Sequence, residues 1–255
     1  PIPPSFPWLA LVVIAIFSPP ENFLVAENLS VQEVIGKAFA QPKKLDGKPP
    51  HPLKDKEDIG IKFPYAVITS KNSFVELCQL DEKISKTIRM GRSTAIEFSS
   101  KNDLFLFQGS FLVTNFPSLN YRITSSKSSF DISGQGTWIV QHTQLGFKLL
   151  ALEGKLHLSN GTNKKQIQPG ELILVSDQDG KISQSLQIEL PLLLATSKLI
   201  NQFTNPLPSQ ARLTSAAQVQ VLRMKKKYEA MVGGVSNDRK LRIWSLEKTP
   251  TGAKH

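Results

Sequence analysis

SFDISGQGTWIV at residues 129–140 and FKLLALEGKLHLS at 147–159 set the architecture of this chain. In both, apolar and polar side chains alternate, which is the pattern of a strand with one buried face. Glycine interrupts each run, at Gly134 and Gly136 in the first and Gly154 in the second. Each is read as ending a strand where the backbone turns sharply. The same texture runs from Phe63 to Leu190 in SFVEL (73–77), TAIEF (94–98), DLFLF (103–107), SFLVT (110–114), NYRIT (120–124) and ELILVS (171–176). These segments recur about every ten residues, and none carries a clean 3.6 period, so the pattern predicts an all-β sandwich, barrel or solenoid. Ser159-Asn160-Gly161-Thr162-Asn163 and Asp177-Gln178-Asp179-Gly180 are the clearest turn signals between them.

Around this β region the composition is that of a globular chain. It has 255 residues, 40% hydrophobic and 20% charged, too apolar for a disordered tail and too polar for a multispanning membrane protein. A chain of this length buries about 70–75% of its unfolded surface and needs no metal or disulfide to hold its core. Cys78 is the single cysteine, which excludes an internal disulfide and any paired-cysteine zinc or redox site.

Residues 1–26 read as a signal peptide or N-terminal membrane anchor. Trp8–Phe17 is ten apolar residues, shorter than the roughly 20 of a spanning helix, and Ser18-Pro19-Pro20 comes directly after it. A hydrophobic segment packed on the domain is the alternative. Residues 41–58, with four prolines and mixed charge, read as a solvated loop. Residues 191–255 form a helical, basic extension. PLLLATSKLINQF (191–203) makes a short helix or a draped apolar strip, and Ser215 caps a helix running to Val232, stopped by Gly233-Gly234. Its apolar stripe is Ala217, Val221, Met224, Tyr228 and Met231, two heptads that fall short of a coiled coil and are expected to lie on the β domain. LRIWSLE (241–247) alternates again and reads as an edge strand.

In sequence order, the β motifs resemble the FecR domain of bacterial extracytoplasmic regulators. Val34-Ile35-Gly36-Lys37-Ala38 is similar to the family's opening strand, and Ala66 to Leu77 (AVITSKNSFVEL) to its next step. Phe107-Gln108-Gly109-Ser110-Phe111-Leu112, FDISGQGTWIV (130–140), ALEGKLHL (151–158) and Ile167-Gln168-Pro169-Gly170-Glu171 continue the series. The likeness covers roughly residues 31–190. It implies a solenoid-like or jelly-roll-like β domain outside the cytoplasm, in the bacterial periplasm or cell envelope. The best-known members relay a signal from an outer-membrane transporter to a sigma factor. Only seven residues precede the apolar run, and no second α/β module comes after Leu190, so a stand-alone exported domain is what carries over.

Chemistry is sparse. GKLHL (154–158) with PGELILV (169–175) also fits a cupin-like barrel enzyme, the alternative reading. A cupin metal centre needs clustered His and Glu ligands, whereas only His142 and His157 lie in strands and no H-x-H occurs. No metal and no cofactor is expected. Asp177 and Asp179 read as a hairpin turn rather than a calcium loop, and Cys78 as a buried small hydrophobe. No nucleophile motif appears, so no catalytic residue is assigned.

The charge is +10, from 31 Lys and Arg against 21 Asp and Glu. Residues 214–255 carry nine of the cations against Glu229, Asp238 and Glu247. Arg223, Lys225, Lys226 and Lys227 are the candidate contact for a partner or polyanion, with a solvated face as the alternative. A protein partner in the envelope is expected; an anionic membrane surface or polyanionic glycan also suits the charge. Nucleic acid suits it least, since no binding module accompanies the charge. The sequence therefore points to a non-catalytic, exported interaction or envelope-sensing domain. A structural envelope protein apposed to the membrane is the further alternative.

Overall fold

The computed structural model describes residues 29–42, 49–59, 64–81, 84–161 and 163–232. The N-terminal apolar run and the 241–247 segment lie outside these described residues. The strands are β1 (Leu29–Ile35), β2 (Ala38–Pro42), β3 (His51–Pro52), β4 (Asp58–Ile59), β5 (Tyr65–Thr69), β6 (Phe74–Asp81) and β7 (Ile84–Met90). They continue with β8 (Ala95–Ser100), β9 (Asp103–Thr124), β10 (Ser129–Thr143), β11 (Gly146–Asn160), β12 (Asn163–Ile167), β13 (Glu171–Ser176) and β14 (Leu186–Gln187). The described residues continue with the helices α1 (Leu190–Thr196), α2 (Lys198–Asn201) and α3 (Gln210–Val232). The all-β expectation holds, and among the described residues helix begins at Leu190. The proline-rich loop differs in carrying the two short strands β3 and β4, which pair with β2 and β1.

The pairings are antiparallel throughout. The main path of the sheet is β14-β13-β11-β10-β9-β7-β6-β1-β4. A branch of β8, β5, β2 and β3 leaves the first part of β9, and β12 joins the far half of β11.

Contrary to the expectation from alternation, the glycines do not end the strands. DLFLF, SFLVT and NYRIT run together as β9, and the two glycine-interrupted stretches form the continuous strands β10 and β11. Gly136 stands opposite Gly154 on one side and Asn115 on the other, and the register against β9 slips between Gly134 and Gly136. Gly136 and Gly154 have φ of 151° and 96°, left-handed values that favour glycine. A Cβ on Gly154 would run into the Gln135 carbonyl. An antiparallel ladder can thus bend at a bulge and keep its hydrogen bonds. The bent sheet encloses one apolar core, where Trp138 meets Phe111 and Tyr121 edge to face.

Beyond the bend, β9, β10 and β11 are buried on both faces. Trp138 and Val140 point into the core. Leu112, Ile139 and Leu152 point the other way, into a second apolar cluster with Leu190, Leu199, Ile200, Leu207, Leu213 and Ala217. The C-terminal helices therefore roof the outer face of the sheet. Pro191 fits the first turn of α1, where its missing N–H leaves no bond unmade. α3 starts at Gln210, not at Ser215, which is an exposed residue within the helix. Ser209, just ahead of it, is fully buried against Thr137 at 2.7 Å and Thr114 at 3.2 Å. That anchorage fixes where α3 begins.

Candidate functional site

Two charged pairs, Glu76 with Arg89 and Glu153 with Arg212, lie where the helical roof meets the sheet. Glu76 on β6 and Arg89 on β7 are cross-strand partners, placed by alternation on the face opposite Val75, Leu77, Ile88 and Met90. Arg89 is wholly buried. Its Nε donates to Glu76 at 2.5 Å, Nη1 to the Ile200 carbonyl at 2.8 Å and Nη2 to the Asn205 carbonyl at 2.5 Å. The guanidinium also lies 4.4 Å from the Phe203 ring centroid. It thus ties α2 and the loop after it to the sheet. Nearby, Thr137 bonds Glu153 at 2.8 Å, and Glu153 accepts from Arg212 of α3 at 3.3 Å. Sequence reading misses Glu76 and Arg89. Their one signal is charge inside alternating strands, and it becomes meaningful only when the register is known.

α3 departs from the expected stripe. Its docked residues are Leu213, Ala217 and Gln220, all buried. Ala217 belongs to the predicted stripe, but Val221 and Met224 do not dock: they are 50% and 52% exposed, beside Leu222 at 59%. Gln220 accounts for the difference. Its Oε1 accepts from the Leu190 N–H at 2.9 Å and its Nε2 donates to the Ile188 carbonyl at 2.6 Å, closing the strand-to-helix junction. Past Gln220 the described residues of α3 face solvent. Arg223 is exposed and lines a shallow cleft of about 300 Å³ with Glu153 and Arg212. Lys225 is exposed. The side chains of Lys226, Lys227, Tyr228 and Met231 lie outside the described residues.

His142 has surroundings that sequence reading misses. One ring nitrogen lies 3.0 Å from the Phe107 carbonyl and the other 3.2 Å from Asp177 Oδ2, while Ser128 and Ser125 donate to Asp177 Oδ1 at 2.5 and 3.3 Å. Burial works to raise the Asp177 carboxyl, but the Ser128 and His142 bonds outweigh it and hold the group below its ordinary value. The order Ser–Asp–His places the carboxylate in the middle. Both imidazole nitrogens face acceptors, so no hydroxyl stands where a base could activate it. His157 is an exposed strand residue opposite Gln166. Asp179 turns away to Lys181, whose 2.8 Å contact leads the causes that push it down to about 2. Cys78 is buried, and its burial pushes the thiol up to about 11, the state of an inert core cysteine. Among the described residues no group of three His, Cys, Asp or Glu is placed to hold a metal ion.

No helix among the described residues is long and apolar enough to cross a membrane. No family model matches the chain. No curated protein matches it. Two crystal structures of a candidate anti-sigma factor from Parabacteroides distasonis ATCC 8503 are similar in fold. One has a TM-score of 0.41 at 12% identity, covering 52% of this chain and 66% of that one. The other has a TM-score of 0.40 at 12% identity, covering 51% and 65%. The chain thus spans just under two thirds of the length of the proteins it resembles.

Proposed function

We propose that this chain is a non-catalytic, FecR-like interaction domain that works outside the cytoplasm, in the bacterial envelope, and signals through contact with a protein partner. One observation carries the reading. After Gln220, α3 leaves the sheet with Val221, Leu222 and Met224 uncovered and Arg223 and Lys225 among them. An apolar helical flank interleaved with cations suits a partner helix with an acidic rim. The bent β domain and its buried Arg89 anchor supply the rigid base from which such a helix projects. The motif series from Val34 to Glu171 supports the FecR likeness, since its central glycines stand at the bend of the sheet. The N-terminal apolar run supports the placement outside the cytoplasm.

The test is a benzoylphenylalanine crosslinker placed at Leu222 in the full chain, activated in cells that are then fractionated. The expected product is one protein adduct in the envelope fraction, lost when Val221→Asp and Met224→Asp are added. Adducts to lipid alone, or to cytoplasmic proteins alone, would replace this reading.

A further inference from the structure

Three turns of the β domain are joined side by side, and each carries one exposed cation. Lys37 lies between β1 and β2, Lys71 between β5 and β6, and Arg92 between β7 and β8. Backbone bonds stitch the turns into one rim: the Ser70 N–H donates to the Lys37 carbonyl and the Ser93 N–H to the Ser70 carbonyl, each at 3.0 Å. Buried hydroxyls fasten that rim. Ser73 accepts from the Lys37 N–H at 2.8 Å, and Thr94 donates to the Ser110 carbonyl at 3.0 Å. Thr69 donates to the Gly91 carbonyl at 2.5 Å and accepts from the Thr94 N–H at 2.9 Å. The backbone under the cations is therefore already fixed, and a ligand there has only side chains to order.

Lys71 and Arg92 border a cleft of about 420 Å³, whose lining is completed by Asn72, Ser93, Gln108 and Gly109. No carboxylate is among these residues. Among the described residues, neither Lys71 nor Arg92 has an ion-pair partner. Like charges on adjoining turns repel and add nothing to the fold. The neutral side chains of the lining, two amides and a hydroxyl, can all donate hydrogen bonds. A guanidinium, an ammonium and these neutral donors suit a group with several acceptor oxygens, and a phosphate offers more of them than a carboxylate. The cleft is also larger than a bare phosphate ion and falls within the range of small-ligand sites.

We propose that this cleft binds the phosphate group of a phosphorylated ligand. Arg92 and Lys71 meet its oxygens, and Asn72, Ser93 and Gln108 donate to those that remain. The site shares no residue with the α3 contact and stands whether or not that contact does.

The experiment titrates the full chain with tripolyphosphate by calorimetry at low salt, with poly-glutamate of equal charge as the control polyanion. The expected result is saturable binding of tripolyphosphate, weakened about tenfold or more by Lys71→Gln with Arg92→Gln. Asn72→Asp, which sets a carboxylate in the cleft at almost unchanged shape, is expected to weaken it too. Lys155→Gln with Lys164→Gln removes the same charge from exposed positions on β11 and β12 and is expected to leave binding unchanged. Sedimentation with vesicles of phosphatidylcholine and phosphatidylglycerol in equal parts then separates the sources. Vesicle binding that Lys71→Gln with Arg92→Gln abolishes identifies a lipid headgroup. Vesicle binding that is absent, or indifferent to that variant, identifies a soluble phosphorylated molecule. Equal binding of poly-glutamate, equal weakening by the two double variants, or no saturable binding of tripolyphosphate overturns the proposal.

Discussion

Asp177 sits where three segments far apart in the chain meet: the β9–β10 loop through Ser125 and Ser128, β10 through His142, and its own turn after β13. Its carboxyl is held below the ordinary range, so its bonds stabilise the fold above the unfolded value of about 3.9 and are lost as pH falls through the lower folded value. Asp177→Asn is expected to cost about 1–3 kcal/mol at pH 7, as for a lost charged hydrogen bond. Urea titrations at pH 7 and pH 3 check this: the gap between parent and variant should narrow at the lower pH, and a constant gap would refute the assignment. From sequence, His142 reads as an ordinary strand histidine, because its partners lie 35 residues away on either side. Nothing in the local pattern around His142 announces either contact.

At the scale of elements, the decisive unit is the fastening between β7 and α2. Arg89 answers four acceptors there: Glu76 and the carbonyls of Leu199, Ile200 and Asn205. Glu76 answers Arg89. The two partners of one ion pair are therefore unequal. Arg89→Met is expected to cost about 3–5 kcal/mol, since it strands a buried carboxylate and uncaps α2 together. Glu76→Gln keeps an acceptor and is expected to cost only about 1–2 kcal/mol. Equal losses in denaturant titration would mean that the carbonyl contacts contribute nothing. The elements are only partly legible in the sequence. Alternation marks a strand face equally well whether the strand stops at Gly154 or bends there, so it divides β9, β10 and β11 into shorter pieces. Hydropathy likewise ranks Val221 and Met224 above Gln220, yet Gln220 docks because two buried backbone groups need its amide.

For the whole molecule, the all-β class and the helical C-terminal extension can be read from period alone. The roof cannot, because Leu112, Ile139 and Leu152 look like the second face of any well-packed strand. Those residues make the β region dependent on the helices C-terminal to it. A fragment ending at residue 189 lacks α1, α2 and α3 and uncovers Leu112, Ile139 and Leu152 together with Arg89. Such a fragment is expected to bind a hydrophobic dye and to self-associate, while the chain through residue 220 does neither. A fragment ending at 189 that runs as a dye-free monomer on size exclusion would show that the roof is dispensable.

The roof also sets an order of events during synthesis. It lies at the end of the described chain, so a nascent polypeptide completes its sheet before the cover exists. At roughly 5–20 residues per second, the 31 residues from Leu190 to Gln220 take a few seconds to add. For that interval the outer face is open to neighbours on the same messenger, and a chaperone has a defined patch to hold. A premature stop between Leu190 and Leu213 makes the exposure permanent, turning the same apolar face into a degradation signal.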